Sequence, residues 1–254
     1  MHIETHGQGA DLVLLHGWAL HGGVFAPLVE RLADRFRLHL VDLPGHGRSR
    51  GSATPLALAD VVSEVAARTP PAVWLGWSLG GLFALRAAAT LPTVRGLVMI
   101  ASMPRFVKGP AWPHAVEPEV FARFGQDLAQ DHAGTLERFI ALDTLGSEQG
   151  RDELKALRVL LHARGEPDLA ALHTGLHLLE HSDLRRSLPG LRVPSLWLAG
   201  RRDRLVSPAG MRDAAARAPD ARFIEIAGGG HAPFLAQADQ VAAALAAFVD
   251  NGMP

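Results

Sequence analysis

Two kinds of pattern alternate along the first 104 residues and again after residue 190. Short runs of apolar residues predict buried strands, and apolar residues spaced three and four apart predict amphipathic helices. The predicted strands are 12–15, 38–41, 72–77, 94–101, 194–200 and 222–227, and the predicted helices are 25–36, 56–68, 82–89, 211–218 and 240–249. Because strands and helices alternate, we expect parallel strands joined by helical crossovers.

The alternation stops between Pro104 and Pro189. This stretch has helical periodicity with several prolines and glycines, and it contains no convincing strand pattern. We therefore predict an α/β fold with a mostly parallel central sheet, helices on both faces and one helical lid insertion. The predicted boundaries are 1–104 and 190–254 for the core and 105–189 for the lid.

The segment Gly76–Gly80 reads Gly-Trp-Ser-Leu-Gly and connects a predicted strand to a predicted helix. A sharp turn of this kind needs small residues where a Cβ would collide with the adjoining strand or helix, and the two glycines supply them. Ser78 would then be held exposed at the positive end of the helix, where a nucleophile is activated. The short pattern alone is also typical of ordinary turns, but the strand before it and the helix after it favour a nucleophile.

Two further candidate residues follow predicted strands. Ligands of open parallel sheets bind beyond the carboxyl ends of the strands, where Asp203 follows strand 194–200 and His231 follows strand 222–227. A serine nucleophile needs a base that titrates near neutral pH, as imidazole does. If the chain order is serine, acid, histidine, the base is His231, the only one of 13 histidines after Asp203. Asp203 would orient the imidazole. The alternatives are that Asp203 is an ordinary turn aspartate and that His231 is a capped loop histidine.

A serine mechanism also needs backbone donors for the oxyanion of its tetrahedral intermediate, each worth roughly 3 to 4 kcal/mol where one was removed. Leu79, directly after Ser78, offers one N–H. Trp18, in the glycine-containing loop after strand 12–15, is placed to offer the other. The Trp18 side chain is expected to be buried, which is compatible with this role because only its backbone is needed.

Composition excludes several classes of function. With 25 basic and 26 acidic residues among 254, nothing indicates a general affinity for nucleic acid or anionic membranes. The absence of cysteine excludes disulfides and thiol catalysis and is typical of a reducing compartment. The N-terminal residues do not resemble a signal peptide, and no run of about 18 apolar residues occurs. We expect a soluble, cytoplasmic monomer without metal or cofactor.

The motifs together resemble the α/β-hydrolase fold across essentially the whole chain. They include His16-Gly17 after a strand, the loop from Asp42 to Ser49, and the segments that carry Ser78, Asp203 and His231. Within that fold the chain resembles the family of pimeloyl-[acyl-carrier protein] methyl ester carboxylesterases, through 12–18, 38–45, 74–82, 137–142 and 231–234.

This resemblance implies an enzyme that removes the methyl ester at the end of pimelate assembly in biotin synthesis. The implied partners are the acyl carrier protein that bears the substrate, and small-molecule esters. The implied catalytic triad is Ser78, Asp203 and His231. The implied substrate-binding residues are Trp18, Ser78, Leu79, Phe139, Ile140, Ala141, Leu142, Asp143 and His231. The family often carries glutamine where Asp143 stands.

Four cations in the predicted lid are candidates for carrier-protein docking. Arg151, Lys155 and Arg158 recur at i, i+4 and i+7 on one helix face, and Arg138 lies on the preceding helix. An acyl carrier protein is acidic, so these cations would steer and hold it. The alternative is a solvated helix face balanced by neighbouring carboxylates.

Other functions remain as alternatives. A carboxylesterase of broader specificity would act on small free esters with the same three residues, and a non-catalytic binding protein of this fold usually lacks one of them. Dehalogenases and epoxide hydrolases carry an aspartate at the position of Ser78. His173, His177 and His181 repeat at helical spacing and could hold a divalent metal, although a helix face is the interpretation we favour.

Overall fold

The computed structural model describes residues 1–252, with the side chains described up to residue 250. Its sheet has seven strands in the order β1-β3-β2-β4-β5-β6-β7, and only β1 runs antiparallel to its neighbour. The strands are β1 His2–His6, β2 Ala10–Leu15, β3 Phe36–Asp42, β4 Ala72–Trp77, β5 Val94–Ile100, β6 Ser195–Gly200 and β7 Ala221–Ile226. The predicted α/β fold with a mostly parallel sheet is confirmed.

Ten α-helices lie within the described residues. They are α1 Ala26–Leu32, α2 Leu58–Arg68, α3 Leu79–Thr90, α4 Pro118–Gln130, α5 His132–Asp143, α6 Gly150–Ala163, α7 Leu169–His181, α8 Pro208–Ala215, α9 Pro233–Ala236 and α10 Ala238–Gly252. Four of them, α4 to α7, lie between β5 and β6, in the stretch predicted as a lid. None of the helices in residues 1–252 combines the length and apolar character that a bilayer-spanning segment needs.

Helices cover both faces of the sheet, which explains why the central strands are apolar throughout. A Cβ added at Gly96 of β5 would lie 3.3 Å from the Phe248 ring of α10, whereas one at Gly81 of α3 would lie 3.1 Å from Met99 of β5. Residues 96 and 99 point to opposite faces of their strand, so α10 and α3 lie on opposite sides. The helices on the two faces leave the carboxyl ends of the parallel strands uncovered, and the functional residues are expected at these ends.

Two local predictions differ from the structure. The predicted helix 25–36 ends early: α1 stops at Leu32, and Phe36 opens β3, where it is 3% exposed beside the exposed Arg37. The spacing of Phe36 from Leu32 suits a helix, which explains the error. β1 was not predicted because this half-exposed edge strand contains a single aliphatic residue, Ile3, and so has no apolar run.

Candidate active site

The turn between β4 and α3 holds Ser78 in a backbone conformation that L-residues rarely adopt, with φ 52° and ψ −120°. The flanking glycines are needed for close packing. A Cβ at Gly76 would lie 2.3 Å from the Gly80 carbonyl oxygen, and one at Gly80 would lie 2.1 Å from the Leu15 oxygen. The strand, turn and helix predicted around Ser78 are therefore present, and the turn presents the hydroxyl at the N-terminus of α3.

The structure brings Ser78, His231 and Asp203 together, although they lie on three separate loops. His231 Nε2 is 2.9 Å from Ser78 Oγ, and His231 Nδ1 is 2.9 Å from Asp203 Oδ2. The second oxygen of Asp203 accepts hydrogen bonds from the backbone N–H groups of Leu205 and Val206, at 2.8 and 2.9 Å. The carboxylate is thereby fixed with one oxygen facing the imidazole.

All three side chains are buried: Ser78 is 3% exposed, Asp203 6% and His231 1%. Burial lowers the pKa of His231, but the charge of Asp203, the hydrogen bond to it and the charge of Asp143 together raise that pKa above 6.5. The protonated imidazole is thus stabilised, which suits a base that accepts a proton from the serine.

The loop after β2 lies directly against Ser78. A Cβ at Gly17 would be 3.3 Å from the Ser78 Cβ, and His16 braces the loop by bonding the Gly17 oxygen at 2.7 Å and accepting from the Leu43 N–H at 2.9 Å. Burial lowers the pKa of His16 to about 3, so its ring stays neutral and can both donate and accept.

Trp18 follows in the same loop. Its side chain is fully buried, as expected, and its indole N–H donates to the Leu172 oxygen of α7 at 2.9 Å. Its backbone N–H has no hydrogen-bond partner within residues 1–252. Leu79 is the first residue of α3, where backbone N–H groups have no intrahelical partner. The two backbone N–H groups that the sequence predicted as oxyanion donors therefore have no hydrogen-bond partner within residues 1–252.

The predicted substrate-binding range 139–143 divides between two sides of α5. Phe139, Ile140 and Asp143 are buried on the side of the triad, and Asp143 Oδ1 is 3.9 Å from His231 Nε2. Ala141 and Leu142 instead line a groove of about 500 Å³ between α4 and α5. Residues of the predicted range therefore lie on two sides of α5, one facing His231 and the other facing the groove.

Two residues that support the site were not predicted. The Trp77 indole N–H donates to the His231 backbone oxygen at 2.8 Å, and the Ser102 hydroxyl donates to the Ser78 backbone oxygen at 2.7 Å. Both follow or end predicted strands at the carboxyl edge of the sheet, so the rule that located Asp203 would have located them.

The four predicted docking cations are exposed, but they differ in their partners. Arg138 pairs with Asp131 at 3.3 Å, and Arg158 pairs with Glu137 at 2.8 Å. Arg151 and Lys155, one turn apart on α6, have no carboxylate within 4 Å among the described side chains. Arg151 and Lys155 are therefore less neutralised by neighbouring carboxylates than Arg138 and Arg158 are.

The histidine repeat on α7 forms a ring stack, with the His177 and His181 centroids 4.2 Å apart. Both side chains are exposed. In residues 1–252, no group of three or more histidine, aspartate or glutamate side chains is arranged to hold a metal ion.

The site can therefore transfer the Ser78 proton to His231 while Asp203 holds the opposite ring nitrogen. The sequence pattern of the Alpha/beta hydrolase family matches residues 12–244. The chain belongs to this family. An esterase of the family fold from Exiguobacterium antarcticum superposes with a TM-score of 0.88 at 22% identity, covering 98% of this chain and 95% of its own. The enol-lactonase from Burkholderia xenovorans LB400 gives 0.86 at 21% identity, covering 98% and 96%.

Closer relatives of this hydrolase share most of its sequence. The pimeloyl-[acyl-carrier protein] methyl ester esterase of Xanthomonas oryzae pv. oryzae (strain MAFF 311018) is 68% identical over 98% of both chains. The enzyme of the same name from Stenotrophomonas maltophilia (strain R551-3) is 67% identical over 100% of this chain and 98% of its own. The resemblance predicted from the sequence motifs is confirmed.

Proposed function

We propose that this chain is a serine esterase that hydrolyses the methyl ester of pimeloyl-[acyl-carrier protein] methyl ester, in the cytoplasmic synthesis of biotin. The products are pimeloyl-[acyl-carrier protein] and methanol. The observation that carries the chemistry is the hydrogen-bonded row Ser78, His231 and Asp203, with 2.9 Å at each step. The substrate is supported by relatives of that name at 68% identity.

The reaction begins with attack of Ser78 Oγ on the ester carbonyl carbon while His231 Nε2 takes the hydroxyl proton. The oxyanion that forms is bound by the backbone N–H groups of Trp18 and Leu79. His231 then gives its proton to the methoxy oxygen, the bond between that oxygen and the carbonyl carbon breaks, and methanol leaves. Water, deprotonated by the same imidazole, attacks the acyl-enzyme and releases the free carboxylate and Ser78.

The segment 105–189 acts as a lid in this proposal. The triad is almost completely covered, and Trp18 is in contact with α5 through Phe139, at 4.6 Å between ring centroids, and with α7 through Leu172. A long acyl chain therefore needs a path between the lid helices to reach Ser78. No cofactor takes part, because the reaction needs only a nucleophile, a base and an oxyanion site.

The groove between α4 and α5 is the entrance that the acyl arm would use. It is lined mainly by apolar residues, and Phe124 in its wall packs edge-on against Phe139, with 5.8 Å between the centroids. Phe139 in turn packs against Trp18, so a row of three rings connects the groove to the loop beside Ser78. An extended acyl chain could follow this row while its thioester stays outside.

The carrier protein would dock beside this entrance, on the cations of α6 and on Arg138 at the groove. Electrostatic attraction between an acidic carrier and exposed cations raises the association rate and is screened by salt. Arg151 and Lys155 supply the larger share, since the other two cations already pair with carboxylates.

Replacing Ser78 by alanine tests the chemistry. The variant should lose turnover of both methyl pimeloyl carrier and p-nitrophenyl butyrate, and retained turnover would remove Ser78 from the mechanism. Complementation of a biotin auxotroph that lacks this esterase tests the substrate in the cell.

Charge reversal tests docking. Arg151→Glu with Lys155→Glu should lower kcat/KM for the carrier-bound ester and leave that for p-nitrophenyl butyrate unchanged. The matched control reverses Arg95 and Arg192, two exposed arginines at the opposite edge of the sheet, near the starts of β5 and β6. If the α6 reversals affect both esters equally, the broader-specificity esterase is favoured.

A further inference from the structure

Asp143 is a buried carboxyl group without a hydrogen-bond partner. It is the last residue of α5 and fully buried, and neither of its side-chain oxygens has a partner within residues 1–252. Its Oδ1 lies 3.9 Å from His231 Nε2, the nitrogen that also bonds Ser78 Oγ at 2.9 Å. An unpaired buried carboxyl group is costly, so this placement indicates a partner that enters with the reaction.

The space between Asp143 and His231 suits one oxygen atom. A separation of 3.9 Å is less than two hydrogen-bond lengths of about 2.8 Å, so a single oxygen can bond both groups at once. In a serine esterase two oxygens occupy that position in turn, because His231 Nε2 protonates the leaving alcohol and then deprotonates the attacking water.

The backbone fixes this arrangement. The His231 N–H donates to the Asp143 backbone oxygen at 3.1 Å, and the Glu148 N–H donates to the Gly228 oxygen at 3.1 Å. Two main-chain bonds therefore tie the end of α5 and the segment after it to the loop that carries His231. The carboxyl group of Asp143 keeps its distance from the imidazole without any side-chain bond of its own.

The charges around Asp143 favour its neutral form. Burial raises the pKa of Asp143 to about 7, with the positive charge of His231 lowering it and the negative charge of Asp203 raising it. Glu148, in the connection after α5, is exposed and pairs with Arg202, and Glu153 of α6 accepts a hydrogen bond from the Ser147 hydroxyl at 2.7 Å. The titratable groups that face Asp143 are thus His231 and Asp203.

We propose that Asp143 is a further catalytic residue, whose carboxyl group hydrogen bonds to the oxygen that exchanges its proton with His231. In acylation its O–H donates to the methoxy oxygen as the bond to the carbonyl carbon breaks and His231 protonates that oxygen. In deacylation its carbonyl oxygen accepts one O–H of the water, while the other proton passes to His231 and then to Ser78 Oγ. Asp143 keeps its own proton throughout.

This role predicts that Asp143 assists most when the leaving oxygen needs a proton. A methoxy oxygen must be protonated as it leaves, whereas p-nitrophenolate is a weak base that leaves without a proton. Asp143→Asn keeps a donor and an acceptor in the same place, and Asp143→Leu has a similar size with neither. The inference rests on the serine esterase chemistry proposed above but not on the carrier substrate.

The test uses methyl butyrate and p-nitrophenyl butyrate, and the ratio of kcat/KM for the methyl ester to kcat/KM for the p-nitrophenyl ester is measured. Wild type and Asp143→Asn should give ratios within about twofold of each other. Asp143→Leu should lower the ratio about tenfold, the effect of one lost hydrogen bond of about 1.4 kcal/mol, and it should lower kcat more than it changes KM. An unchanged ratio in Asp143→Leu would overturn the proposal.

A pH profile separates this role from that of an ionised carboxylate. Asp143 stays neutral in the proposed mechanism and asparagine is neutral too, so the acidic limb of kcat/KM should keep its position in Asp143→Asn. The control Glu153→Gln removes another buried carboxyl group, outside the site, and should change neither the limb nor the ratio of the two esters. If Asp143→Leu does not fold, a limb that moves to lower pH in Asp143→Asn overturns the proposal, because it shows that Asp143 is ionised in the active enzyme. Failure of the carrier ester to react would contradict the proposed substrate alone, since this test uses a free ester.

Discussion

Arg164 donates from one guanidinium nitrogen to both carboxylate oxygens of Asp42, at 3.2 Å each. Asp42 ends β3 and is fully buried, whereas Arg164 follows α6 directly and is 16% exposed. The same carboxylate accepts from the backbone N–H groups of Gly22 and Arg48, at 2.7 and 2.8 Å. The end of α6 is therefore joined to the core through a buried ion pair with satisfied hydrogen bonds.

Replacing Arg164 by methionine should lower the free energy of unfolding by about 3 kcal/mol, because it leaves the Asp42 charge buried without its cation. Urea denaturation at pH 7 measures this. Burial raises the pKa of Asp42, but His16, the two N–H donors and Arg164 together lower that pKa below 3.8. The stabilisation is therefore present above pH 3.8 and lost as the pH falls further, so the variant and the wild type should converge in acid.

The control for this change is Arg158→Met. Arg158 pairs with Glu137 on the surface, where an ion pair contributes about 0.5 kcal/mol. Equal losses in the two variants would mean that the buried pair with Asp42 adds nothing beyond a surface contact.

The backbone strain at Ser78 is open to direct measurement. Ser78→Gly should be more stable than Ser78→Ala by about 1 kcal/mol, because glycine adopts φ 52° without the penalty of a Cβ, and part of this gain is offset by its unfolded-state entropy. Ser182, at φ −70°, gives the matched comparison, in which glycine should be the less stable replacement. The same order of stability at both positions would show that Ser78 is not strained.

The sequence was sufficient to predict six of the seven strands and to single out the three residues that we propose as the triad, because their signals are local. Ser78 lies in a turn with its own glycine pattern, and Asp203 and His231 each follow an apolar run. The edge strand β1 and the end of α1 were not predictable in the same way. Their residues have mixed or ambiguous spacing, and only pairing with β3 decides their structure.

Relationships between distant segments could not be predicted from the sequence. Asp143 belongs to a helix whose register against the core decides which residues face His231, and no local pattern fixes that register. The pair of Asp42 with Arg164 joins residues 122 positions apart. The resemblance to a family supplied the range 139–143, but only the packing of α5 separates Asp143 from Ala141 and Leu142.

Filling the groove between α4 and α5 should hinder only the long substrate. Leu142→Trp places a larger side chain in the groove wall, so kcat/KM for the methyl pimeloyl carrier should fall about tenfold, the scale of an apolar subsite misfit. Turnover of p-nitrophenyl acetate should change less than about twofold, since this ester is short enough not to occupy the groove. Val159→Trp, on the exposed face of α6, is the control. An equal effect of Leu142→Trp on both esters would argue against the groove as the entrance.

The acidic limb of the pH profile should report on His231. Its protonated ring cannot accept the Ser78 proton, and its pKa is raised above 6.5, so kcat/KM of the wild type should rise with pH through a value above 6.5.

Asp203→Asn should lower kcat about 10⁴-fold, because an amide N–H facing Nδ1 favours the tautomer with a proton on Nε2. The asparagine carbonyl can still accept from the N–H groups of Leu205 and Val206, so the melting temperature should stay close to that of the wild type. A folded Asp203→Asn variant with kcat within tenfold of the wild type would exclude Asp203 as the residue that orients the imidazole.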